Sequence, residues 1–188
     1  MDAIEIFFAA YGLLLALAVA KLFSSAALIF RKRAQIRIGW ATPLLMLLLV
    51  LDLCSLINNG ARLLGLADLS LKLVANSILA GGVYYLIATL AAPDDVVEWP
   101  DLDAYYDRHK TVVVGGMMLG SMLGFELTSV LVRGFVDTLQ ARWMGLNATL
   151  LLTFYLLMVV LLFIRNRAVN LVILAILNAI FLVVMLTF

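Results

Sequence analysis

The sequence contains little from which catalytic or metal chemistry could be built. It has one cysteine and one histidine. A single Cys54 excludes an intrachain disulfide, and inside an apolar run it reads as a small core residue. A single His109, even with Asp103 and Asp107 nearby, falls short of a metal-ligand set, so no metal or other cofactor is expected. No phosphate-binding loop, dinucleotide glycine pattern or nucleophile elbow is present. An intramembrane Ser–His protease would need a buried histidine, whereas His109 falls at the end of an apolar run. Enzyme is therefore the least supported class. The absence of a basic arm or basic–aromatic stripe gives no reason to expect nucleic acid as a partner.

Charge is scarce as well. Asp, Glu, Lys and Arg make up 13% of 188 residues against 65% hydrophobic ones, and the mean hydropathy is +1.13. A soluble domain needs more polar surface than this. Runs such as LLMLLLVLDL lack the alternating polarity of a transmembrane barrel strand. The N-terminal MDAIEIFF lacks the positive region of a signal peptide, so the first apolar segment is expected to stay as a helix.

Long apolar runs, by contrast, recur from end to end. Charge breaks and turn residues divide them into six spans, about 4–30, 38–57, 69–91, 111–132, 143–164 and 169–188. Each is long enough for a hydrocarbon core of about 30 Å at about 1.5 Å per residue. The expected fold is all-α: a single polytopic membrane domain of six transmembrane helices over 1–188, without a soluble domain. In the third connector, Pro100 precedes DLDAYYDRHK with acids early and bases late, which predicts a short cytoplasmic interfacial helix between the third and fourth spans.

Lys and Arg give the expected orientation. The odd connectors hold Arg31, Lys32, Arg33, Arg37, Arg108, Lys110, Arg165 and Arg167, whereas the even ones hold Arg62, Lys72, Arg133 and Arg142. The bias predicts a plasma (inner) membrane protein with both termini on the non-cytoplasmic side.

Two patterns within the spans invite a structural or functional role. Gly116, Gly120 and Gly124 repeat every fourth residue, giving one face on which another backbone can approach closely. Ser77 and Gly81 offer a matching small face on the third span. Either an internal helix or a second copy could fill the groove, and a homo-oligomer in the lipid bilayer is the expected assembly. The second pattern is polar. Asp52, Ser55 and Asn59 recur at i, i+3 and i+7, one stripe on an apolar helix. Asn76 and Asn147 enter from the same outer side, and Glu126 interrupts the fourth span on a side away from the nearest glycine. Matching depths across the first connector brings Lys21 near Asp52 and predicts a buried ion pair there. Two acids and one base at that depth leave a carboxyl without a full counter-charge, and Glu126 is the expected proton-exchanging group.

Ionisable groups at membrane depth usually face a pathway or one another. The expected function is thus a small transporter or channel-like protein handling protons, a cation or a small polar solute through an outward-facing polar pocket. The alternative is a membrane interaction, sensor or scaffold protein. It would use its glycine face for assembly and the acidic stretch from Asp101 to Lys110 for a cytoplasmic protein partner.

Overall fold

In a computed structural model, the backbone is described for residues 3–63, 70–143 and 146–187, and side chains for 6–63, 70–140 and 148–185. Regular structure among these residues is helical: α1 (Ala3–Lys32), α2 (Ala41–Leu63), α3 (Leu71–Leu90), α4 (Leu102–Ser121), a π-helical segment (Met122–Leu127), α5 (Thr128–Arg133), α6 (Phe135–Trp143), α7 (Leu146–Phe163) and α8 (Arg167–Thr187). Five stretches are long and apolar enough to cross a membrane: Ile6–Lys32, Ala41–Leu63, Leu71–Leu90, Leu102–Arg133 and Arg167–Met185. A sixth apolar helix is shorter, Ala148–Phe163. The outward faces carry large apolar side chains, among them Leu13, Phe23, Leu79, Leu86 and Val172, all more than half exposed. These are the features of a helical integral membrane protein in contact with lipid.

The helix boundaries follow from local chemistry. Pro43 falls in the first turn of α2, where a backbone N–H would have no intrahelical partner. Ser70 caps α3 by accepting from Leu73 N at 3.2 Å. Asp101 caps α4 by accepting from Asp103 N at 2.9 Å and Ala104 N at 3.4 Å. Asn166 does the same for α8 through Ala168 N at 3.0 Å. Gly134, at φ 89°, turns the chain from α5 into α6, a conformation only glycine adopts readily.

The short helix expected before the fourth span is not separate. It begins at Leu102 and continues through α4, so helix, π segment and α5 form one apolar stretch, Leu102–Arg133. A nine-residue helix, α6, occupies what the sequence suggested was only a connector; Phe135, Val136 and Leu139 on it are exposed.

α2 and α4 lie at the centre. α1 packs on α3, α3 on α4, α2 on both α4 and α8, and α7 on α4 and α8. Asn178 ties α8 to α2, its Nδ2 donating to Leu44 O at 3.1 Å and to Leu174 O at 2.8 Å. Between apolar helices in lipid, close packing and such polar bonds provide the cohesion. The glycines serve that packing within the chain. Gly116 lies against Ile87 and Gly120 against Tyr84, both on α3, while Gly124 lies against Leu56 on α2. Gly81 meets Leu14 of α1, so the third-span face does not pair with the glycines of α4 as expected; Ser77, on the same helix, is buried.

One end of the bundle is tied by the connectors. Arg37 N donates to Pro100 O at 2.7 Å, and Leu102 N returns a bond to Arg37 O at 3.2 Å. Arg167 bonds Asp103 at 3.3 Å and Asp107 at 2.5 Å, holding the start of α8 to the start of α4. Lys110 donates to Ile164 O, and Asn170, with its amide oriented to suit, accepts from Lys110 Nζ at 3.0 Å. Ala91, Ala92 and Val96 of the third connector are buried, so it is not simply a solvated loop.

Candidate functional site

Asp52 sits mid-way along α2, where every turn around it is leucine-rich, and its side chain is buried with the residue 1% exposed. Two hydroxyls hold it. Tyr84 of α3 donates to Asp52 Oδ2 at 2.7 Å. Ser121, at the end of α4, donates to Oδ2 at 3.2 Å and lies 3.5 Å from Oδ1. The same serine oxygen is 3.2 Å from the Tyr84 hydroxyl. Three helices therefore converge on one carboxyl. The glycine repeat makes this possible, because a methyl at residue 120 would stand 2.8 Å from Tyr84 Cε2.

A cavity of about 680 Å³ leads away from this carboxyl. One wall is α2: Asp52, Cys54, Ser55, Asn58, Asn59 and, at the far end, Arg62. Ser121 and Phe125 contribute from the fourth span. The facing wall is the α7–α8 hairpin, with Phe154, Tyr155, Phe181 and Val184. Phe154 and Phe181 pack edge to face, centroids 5.3 Å apart at 83°. Arg62, Val184 and Met185 belong to the ends of their helices, so the cavity extends from Asp52 toward that end of the bundle. Toward the opposite end the interior is filled: Leu45, Leu48, Leu49, Val113, Val114 and Met117 are each no more than 2% exposed. Asn59 Nδ2 is buried and has no hydrogen-bond partner among the described residues.

The sequence-predicted residues divide into four groups. Asp52, Ser55 and Asn59 line this cavity together. Asn76 is elsewhere: its Nδ2 donates to Leu123 O and to Thr128 Oγ1, both at 2.9 Å. Thr128 Oγ1 also donates to Leu123 O at 3.0 Å, and Thr128 N bonds the same carbonyl across the π turn. Asn76 thus pins the π segment. Glu126 lies on that segment, half-buried, and is not among the residues lining the cavity. The side chain of Asn147 lies outside the described residues.

Lys21 corrects the expected ion pair. It bonds Asp94 of the third connector, not Asp52. The depth match assumed that each helix ends at the membrane boundary. α1 has 30 residues, so it outruns the slab, and the third connector folds down beside it. Around the fourth span, positions reckoned at about 100° per residue do not carry unchanged through a π turn, which closes with i→i+5 bonds. Cys54 is a second correction: it is exposed rather than buried in the core.

His109 has a local role. It stacks on Tyr105 at 4.1 Å between ring centroids, beside Trp99 at 5.7 Å, while Asp103 and Asp107 turn to Arg167. Among the described residues no group of three or more metal-ligating side chains converges.

Sequence reasoning missed Tyr84, Ser121 and the α7–α8 wall. A signal existed for Tyr84: it follows Gly81 by three residues, on the span that also carries Asn76 and Ser77, and it faces the glycine repeat. No known protein family, curated protein or solved structure matches this chain.

Proposed function

We propose that this chain is a small transporter or channel-like membrane protein that handles a proton, a cation or a small polar solute by way of the cavity ending at Asp52. One observation carries the reading: a carboxyl 1% exposed, held by two hydroxyls, closes the inner end of a 680 Å³ cavity. Ionisable groups are expensive to keep inside a membrane and generally belong to a pathway. A polar tie between α2, α3 and α4 that served only architecture would not need a cavity beside it. Ser55, Asn58 and Asn59 supply hydrogen-bonding groups between the carboxyl and the mouth. The Lys and Arg distribution supports a mouth on the non-cytoplasmic side. Asp52 here takes the role that the sequence pattern suggested for Glu126.

The alternative of a scaffold or sensor draws no comparable support. The glycine face is occupied by Ile87, Tyr84 and Leu56, and Asp101, Asp103 and Asp107 face Arg37 and Arg167 of the same chain.

The test is reconstitution of the full chain into vesicles carrying a trapped pH dye. An imposed proton gradient, or a gradient of a monovalent cation, should dissipate faster than in empty vesicles. Asp52→Asn should abolish that flux, and Glu126→Gln should leave it largely in place. Equal flux from the wild type and Asp52→Asn, or none under any gradient, overturns the reading.

A further inference from the structure

We propose that the cavity takes a monocationic amine on a compact apolar body, the ammonium at Asp52 Oδ1 and the body against Phe154 and Phe181. This deepens the reading of Asp52 as the working group of a transport cavity and rests on it. Three observations converge. First, the carboxyl is bonded only to hydroxyls among the described residues, and the bonds are uneven. Oδ2 takes Tyr84 at 2.7 Å and Ser121 at 3.2 Å, whereas Oδ1 has only the 3.5 Å approach of Ser121. An ionised carboxylate offers about four acceptor positions, so Oδ1 has capacity to spare. A cationic donor satisfies it best, since charge-assisted bonds are the strong ones.

Second, the walls are apolar and aromatic. Phe125, Phe154 and Phe181 line them, and Leu150, Leu151 and Ile180 fill in between. A bare Na⁺ or Ca²⁺ needs a shell of several oxygens converging on one point, whereas Asp52, Ser55, Asn58 and Asn59 are strung along α2 toward the mouth. An aromatic or branched hydrocarbon is matched by them, and ring faces also attract an ammonium. Third, the size fits. A volume of 680 Å³ is that of a site for a small organic molecule. An anionic solute would meet the carboxylate as a like charge. A neutral hydroxyl could donate to Oδ1, but without the charge assistance an ammonium brings. Arg62 at the mouth is ten residues along α2, roughly 15 Å from Asp52, too far to occupy the carboxyl itself.

The experiment is equilibrium dialysis of the detergent-solubilised full chain with radiolabelled phenethylamine. Its neutral analogue 2-phenylethanol and the anion 3-phenylpropionate serve as competitors. Phenethylamine should bind at least about tenfold tighter than 2-phenylethanol, and 3-phenylpropionate should not compete. Asp52→Asn should erase the preference for the amine. Phe154→Ala should weaken amine and alcohol alike. The comparison of ligands on the wild-type chain needs no variant to fold. Equal competition by 2-phenylethanol, binding of none of the three, or an amine preference that survives Asp52→Asn overturns the proposal. If the amine preference fails while Asp52-dependent proton flux persists in vesicles, only the ligand class falls. If amine binding holds but no flux of protons, cations or amine is seen, the site stands and the transport reading falls.

Discussion

Gly120 makes room for Tyr84: a methyl at residue 120 would stand 2.8 Å from Tyr84 Cε2, inside ordinary contact distance with a ring. The phenol it admits donates to Asp52 at 2.7 Å. A packing motif and a polar site are thereby the same piece of structure. Gly120→Ala should displace the ring and cost about 1–3 kcal/mol of stability, the usual range for overpacking. Gly116→Ala, which presses on Ile87 instead, should cost a similar amount without touching the carboxyl. Thermal unfolding in detergent reads the first effect and vesicle flux the second. Wild-type flux from Gly120→Ala would break the link between the two.

Removing only the hydroxyl isolates its contribution. Tyr84→Phe keeps the ring and leaves Asp52 with Ser121 alone, so a loss of about 1.5–3 kcal/mol is expected for a bond to a charged group. Tyr85, 43% exposed on the same helix, is the control, and Tyr85→Phe should shift the melting temperature little. Indistinguishable melting curves for the two variants would show that the Tyr84–Asp52 bond contributes nothing to the fold.

The π segment should depend on side chains from outside its own ladder. Leu123 O accepts from Thr128 N, Thr128 Oγ1 and Asn76 Nδ2. Asn76→Leu should therefore loosen the turn and cost about 1–2 kcal/mol, the range for polar bonds between membrane helices. Hydrogen exchange over residues 122–128 should quicken in the variant while exchange in α7 is unchanged. Unaltered exchange in that segment would mean that backbone bonds alone hold it.

Cys54 is the chain's single thiol, and it is exposed and lines the cavity. A charged, membrane-impermeant methanethiosulfonate should label it from the side of Arg62, and labelling should slow vesicle flux. A thiol that reacts only with lipid-soluble reagents would mean that the cavity wall at this residue faces acyl chains.

The sequence revealed more of the fold than of the site. Of the six expected spans, apolar length located five helices of membrane-crossing length and a shorter sixth, and Pro100 with Asp101 correctly marked a helix start. The stripe of Asp52, Ser55 and Asn59 was readable because α2 is regular, so a period of about 3.6 residues carries along it. Elsewhere regularity failed. The π turn changes the angular bookkeeping at Glu126, and the overlong α1 breaks the depth match that paired Lys21 with Asp52. Small residues announce close packing but not the neighbour, which is why Gly81 turned out to meet α1. Tyr84 and Ser121 escaped notice because a tyrosine or serine in a span looks like any other tolerated polar group until a carboxyl is found opposite.

The filled interior between Asp52 and the Arg37 end bears on how such a protein would behave at rest. Leucine, valine and methionine close the route, and ion pairs with a backbone bridge clamp the far side. A bilayer holding the protein in this conformation should keep its ion gradients, since a blind well does not leak. Passage would have to come in alternating turns, with the occupied carboxyl exposed first to one compartment and then, after the helices part, to the other.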